Sequence, residues 1–352
     1  MKPWLFVALA TSFGTAFGTS APLWAQDAPA TVVGATPFNW QIRLRAGQKF
    51  RTTLNTSAKM TMAMPMLPAA PGKVATKVPA PIETNSTSRT VFEQNVLSSD
   101  EKGARIELIY RESTQKIVTG NEPANEATKI ASDTFKNMVG ARLIYTLSPQ
   151  GKVSDLQGVD EYVARMIGGA NENQSEEQRK IDNMMRESMQ KALSREALES
   201  MFEKSSGNLP TAPVALGESW KTKIEMPVIM GIKVGDTGTR TFAGREGDLV
   251  VISENSVIEN DPNTKLDFPL PTNPDKTIPA PTAKFAMKGV SQGETKVDEK
   301  TGMVRSRRSN QKTNVTATME NIDGKGGKME MTMDMTDEST STTELLPETL
   351  TN

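Results

Sequence analysis

Apolar and polar residues alternate with a period of two along much of this 352-residue chain, and few folds accommodate that pattern. Ile106, Leu108 and Tyr110 alternate with Glu107, Ile109 and Arg111, and Val315, Ala317 and Met319 alternate with threonines. Met60, Met62, Met64 and Met66 form one alternating run; Met329, Met331, Met333 and Met335 form another. Successive side chains of an extended chain point to opposite faces, so each run offers one continuous face. Many of the runs are bounded by Gly, Asn or Asp, which is the pattern of an antiparallel sheet. Gln150-Gly151 and Thr301-Gly302 read as its turns.

The middle of the chain follows another period. Val159, Tyr162, Val163, Met166 and Ile167 fall on one helical stripe. Ser175-Glu176-Glu177-Gln178 is a capping box opening a second helix, whose stripe is Ile181, Met184, Met185, Met189 and Leu193. Ser194 can cap a third, with Leu198, Met201 and Phe202 inward and Gly207 at its end. The expected fold class is therefore α+β, mainly β: curved antiparallel sheet or sheets with a central helical block at about 159–205. The β-rich segments, 38–157 and 208–346, share an order of short phrases. Gly47-Gln48-Lys49-Phe50 parallels Gly217-Glu218-Ser219-Trp220, Arg89-Thr90-Val91-Phe92 parallels Arg240-Thr241-Phe242, and the turn before Val153 parallels that before Val304. This order predicts a duplicated β-meander. The Pro-rich stretches 65–81 and 261–281 read as long loops, and 347–352 as a tail.

The first 25 residues have the layout of a secretory signal: Met1-Lys2, an apolar stretch from Trp4 to Phe17, and a small residue at Ala25. Residues 26–37, rich in Ala, Pro and Thr, read as a flexible leader. No later stretch holds 18 consecutive apolar residues, so no transmembrane segment is expected after signal removal and the mature protein is expected to be periplasmic or secreted. The chain has no Cys and no His. Thiolate nucleophiles, imidazole bases, disulfides and the usual zinc sites are thereby excluded. A formal charge of −1 gives no electrostatic case for nucleic acid or anionic membranes.

The motifs with chemical precedent weaken under inspection. Asp236-Thr237-Gly238 matches half of an aspartic-protease site, but that chemistry needs two carboxylates sharing a proton, and Gly235 stands where a hydrophobic residue is required. It reads instead as a loop between strands. Lys300-Thr301-Gly302 and Ser309-Asn310-Gln311-Lys312 occur in the wrong order and in strand-like text for a penicillin-binding enzyme. The acidic group Asp334, Asp337 and Glu338 reads as solvated surface. Alternating thioethers could converge on a soft ion such as Cu(I), yet unbranched, polarizable methionine also fills irregular cores and adaptable apolar faces. No metal and no cofactor are expected.

The Gly-x-x-Phe/Trp strand starts, the phrase Leu216-Gly217-Glu218-Ser219-Trp220 and the turn Ser148-Pro149-Gln150-Gly151-Lys152-Val153 resemble those of exported bacterial β-rich proteins of unknown function, over roughly Phe38 to Leu345. That resemblance implies no catalytic residues. A curved sheet with a helical lid is also similar in architecture to the periplasmic lipoprotein carriers. The expected function is a non-enzymatic binding protein of the cell envelope for a lipid-like ligand. Candidate lining residues are Met166, Met184, Met185 and Met189 on the helices and Met60, Met62, Met331 and Met333 on the strands. The alternatives are a module that binds another envelope protein and a hydrolase built on carboxylates alone.

Overall fold

The computed structural model describes residues 36–63, 80–120, 126–167, 190, 193–206, 209–225, 233–262, 282–320 and 328–347. The described strands are β1 (Lys49–Ala63), β2 (Ile82–Asp100), β3 (Gly103–Thr119), β4 (Arg142–Leu147), β5 (Val153–Gln157), β6 (Ser219–Glu225), β7 (Val234–Glu246), β8 (Leu249–Asn260), β9 (Thr282–Asp298), β10 (Val304–Glu320) and β11 (Lys328–Leu346). All eleven belong to one antiparallel sheet in the order β5-β4-β3-β2-β1-β11-β10-β9-β8-β7-β6. Two runs of consecutive neighbours, β1 to β5 and β6 to β10, are joined in the middle by β11, which pairs with both β10 and β1.

The sheet is rolled, and the backbone shows by how much. Residues 36–45 cross one end of it as a strap. Ile42 N–H donates to Pro149 O in the β4–β5 turn at 2.9 Å, and the next amide, Arg43 N–H, donates to Thr301 O in the β9–β10 turn at 2.8 Å. Neighbouring Cα atoms are under 4 Å apart, so the two turns approach within about 10 Å. Five neighbour steps separate β4 from β10, about 24 Å in a flat sheet. Further along the strap Phe38 pairs with Val214, just before β6, and Arg245 reaches the Thr36 carbonyl at 2.9 Å.

The strap alternates. Phe38, Trp40, Ile42 and Leu44 are buried and join the two apolar clusters that fill this end. Trp40 donates its indole N–H to Gly302 O at 3.0 Å. Gly302 has φ 71°, and a Cβ there would collide with the carbonyl of Gln41, so only glycine fits both the turn and the strap.

The expected α+β class with a central helical block is corrected by this architecture. The molecule is mostly β, one continuous sheet, and its described helices are short: α1 (Glu126–Asn137), α2 (Val159–Ile167) and α3 (Arg195–Ser206). Their main contacts with the sheet are to β3, β4 and β5, as a flank to one edge instead of a layer over the sheet. The physical reason is that the rolled sheet supplies its own second layer, so its apolar face needs no helical cover. Ser194 does cap α3, accepting from Ala197 N–H at 3.3 Å. The capping box at 175–178 and the stripe from Ile181 to Met189 lie outside the described residues. The flank also protects an edge: Glu203 accepts from Val153 N–H at 3.1 Å and Glu199 from Leu156 N–H at 3.4 Å, so α3 caps β5 where a further strand would pair.

Candidate functional site

The strand registers arrange the inward face in three zones from the strapped base to the far end. Along β1 the inward residues run Phe50, Thr52, Thr56, Met60, Met62, all buried. Along β11 they run in reverse, Thr343, Ser339, Asp337, Met335, Met333, Met331. The base is apolar, with Phe242, Val250, Ile252 and Val297 under the strap on one side and Ile106, Leu108, Leu143 and Leu156 on the other.

The middle is a polar belt. Thr52 and Thr343 share a hydroxyl hydrogen bond at 3.0 Å, and Ser309 and Ser339 share one at 2.8 Å. Small residues let charged side chains reach across it. Gly293 lies between Glu254 on β8 and Ser309 on β10, and over it Arg307 donates to Glu254 at 2.7 Å. Arg240 approaches the same carboxylate at 3.3 Å and Thr295 donates to it at 2.7 Å. Burial alone would raise the Glu254 pKa, but the two guanidinium charges and the hydroxyl outweigh it and hold it at about 2. Asp236 stands beside this group with a pKa raised by burial, against the lowering effects of the Ser256 hydroxyl and the two arginines.

Several belt atoms have no hydrogen-bond partner among the described residues: the hydroxyls of Thr56, Ser86 and Ser113, both amide atoms of Gln115, and both carboxylate oxygens of Asp337. Native interiors rarely leave such groups unpaired. Asp337 is 3% exposed, and burial, with no cation close enough to offset it, pushes its pKa up to about 7.

Beyond Asp337 the inward face becomes methionine. Met60 pairs across strands with Met335 and Met62 with Met333. Met60 and Met62 are buried and pack with Met331, Met333 and Met335 in a cluster of methionine alone. Met60 and Met62 of one run and Met331, Met333 and Met335 of the other, some 270 residues apart in sequence, therefore form one surface because β1 and β11 are neighbours; Met64 and Met66 lie outside the described residues.

Of the residues expected to line a site, the structure brings Met60, Met62, Met331 and Met333 together. Met166 is not with them: it is half-buried against the apolar base beneath α2. Met184, Met185 and Met189 lie outside the described residues. The acidic group is corrected in part, since Asp334 and Glu338 are exposed but Asp337 is buried. The alternation contained that signal, because Asp337 has the parity of Met331, Met333 and Met335. Arg240, Glu254 and Arg307 were missed although they share parity with apolar neighbours such as Phe242 and Ile252. Asp236-Thr237-Gly238 is not a loop but part of β7, where a Cβ on Gly238 would press on Thr222 Oγ1 at 2.7 Å and Ser256 Cβ at 3.0 Å. Its glycine serves strand packing. Among the described residues there is no group of three or more acidic side chains placed to hold a metal, and no helix is long and apolar enough to cross a membrane. A groove of about 550 Å³ over β1, β2, β3 and β11, edged by Asn55, Arg89, Lys116 and Glu338, is open and polar.

A family model described as a family of unknown function (DUF6263) matches residues 105–304, more than half of the chain, and the chain belongs to that family. No curated protein matches it. Among solved structures, one described as lipid–protein interactions in lipovitellin is 7% identical, with a TM-score of 0.43, and covers 88% of this chain but 27% of that one. This chain thus spans about a quarter of the lipovitellin chain. An outer membrane channel from Pseudomonas putida F1 is 5% identical over 88% of this chain and 100% of that one, with a TM-score of 0.23. Likenesses this low carry nothing about function.

Proposed function

We propose that this member of the DUF6263 family is a non-enzymatic binding protein of the cell envelope, holding an apolar, lipid-like molecule against the inward face of its rolled sheet. The observation that carries the reading is the methionine cluster set directly beside a belt of unpartnered polar atoms. Five clustered thioether side chains make an adaptable apolar surface without a fixed shape, suited to a flexible chain. A ligand site commonly joins such a surface to a few polar groups that fix one end of the ligand. The envelope location rests on the signal-like first 25 residues.

Mass spectrometry of the mature protein from the periplasm, native and after solvent extraction, tests this. The expected result is a lipid-like species near one per chain, lost in the double variant Met60→Glu/Met333→Glu while secretion persists. Protein that carries no such species and takes up none from detergent-free lipid dispersions would sink the reading.

A further inference from the structure

We propose that Asp337 is the anchor of a headgroup subsite for a primary ammonium, so that the ligand class is an amine-bearing amphiphile whose chain lies over Met60, Met62, Met333 and Met335. This rests on the carrier reading above and narrows it. The argument starts from what Asp337 lacks. It is 3% exposed, and neither carboxylate oxygen has a hydrogen-bond partner among the described residues. Its inward neighbours on β11 are Met335 and Ser339, and the residues opposite it are Ala58 on β1 and Gln311 on β10. None of these is a cation.

The belt's two arginines, Arg240 buried and Arg307 partly exposed, are already engaged. Arg307 and Arg240 converge on Glu254, three strands from Asp337, at 2.7 and 3.3 Å. That end of the belt has its own counter-charge, whereas Asp337 has none. A carboxylate only accepts hydrogen bonds, so the complementary ligand group is a donor with positive charge. A primary ammonium carries three donors, and the unpartnered Thr56 and Ser86 hydroxyls near Asp337 can also accept. Thr56 is opposite Ser339, and Ser86 is opposite Ala58, which itself faces Asp337, so Thr56 lies one strand over and two residues along, and Ser86 two strands over, on the same inward face. On the other side, Met335 begins the thioether surface two residues away. Charge and chain thus have adjoining, chemically distinct places.

The test uses the full mature protein and three ligands with one chain and different heads: dodecylamine, dodecanol and dodecanoate, each below its aggregation limit, measured by calorimetry. The expected order is amine tightest, about tenfold or more over the alcohol, with the carboxylate weakest. In Asp337→Asn, which keeps the shape of the side chain, the preference for the amine over the alcohol is lost. If amine and alcohol bind equally well to the natural protein, or the carboxylate binds best, the ammonium subsite is overturned and the carrier reading stands. If none of the three binds, the carrier reading fails as well.

Discussion

Asp337 is a buried acid that the fold must either neutralise or pay for, and its proton gives it a measurable signature. Its folded pKa of about 7 lies above the value near 3.9 of an unfolded aspartate. The native state therefore holds a proton between those limits that the unfolded state has released. Stability is highest below the unfolded pKa, falls as pH rises through that window, and levels off above about 7. Asp236 adds a slope of the same sign. Glu254 acts oppositely, stabilising above the pKa of an unfolded glutamate and losing that contribution only as pH falls toward 2, outside the same window. Asp337→Asn should remove most of the slope: urea melts at pH 4 should nearly coincide with those of the natural protein, and at pH 8 the variant should be more stable by a few kcal/mol. A parallel pair of pH profiles would show that Asp337 is not buried as a free acid. This residue was legible in parity but not in composition. Asp334 and Glu338 flank it in the sequence and are exposed, and only the period of two assigns Asp337 to the other face. The methionines were legible for the same reason, and what sequence lacked was the pairing of β1 with β11.

At the scale of elements, the strands were read well and the helices less well. Val159 to Ile167 forms the expected helix, with Asp160 and Glu161 in its first turn and Arg165 in its last, and Arg165 pairs with Glu161 at 2.9 Å. The error lay in assigning such stripes to a layer over the sheet. A stripe records that a helix has an apolar neighbour, not which neighbour, and here the neighbour is one sheet edge. Helix α1 was not anticipated, although Ala127, Ile130, Ala131 and Phe135 fall at helical spacing within Glu126–Asn137. The described flank makes a prediction of its own. Glu199→Ala combined with Glu203→Ala removes the acceptors of the Val153 and Leu156 amides. The loss should be about 1–3 kcal/mol for each amide left unpaired, and sedimentation should detect new self-association through the uncapped β5 edge. A monomer of unchanged stability would show that these contacts do not matter in solution.

At the scale of the whole molecule, the strap converts a sheet into a roll, and no local pattern in the sequence announces it. Phe38, Trp40, Ile42 and Leu44 alternate like any strand, yet they bond to three separate turns and loops instead of a strand partner. Gly302 is the point at which this closure can be undone. Gly302→Val places a side chain on the Gln41 carbonyl and strains a left-handed backbone, so the strap should lift and expose Trp40. Red-shifted tryptophan emission and a larger radius in small-angle scattering are the expected readouts; an unchanged spectrum and radius would remove the strap from this account. The central pairing has a further consequence, in the order of assembly. Lys49 lies opposite Leu346, so the contact that joins the two halves is among the longest in sequence that the chain makes. Each five-strand run can zip between strands that are neighbours in sequence, but their union must wait for the last strand and carries the largest loop-closure cost. A chain emerging from its first residue onward would hold two unfinished half-sheets until β11 arrived, and the methionine surface, made from β1 and β11 together, would be the last part of the sheet to come into being.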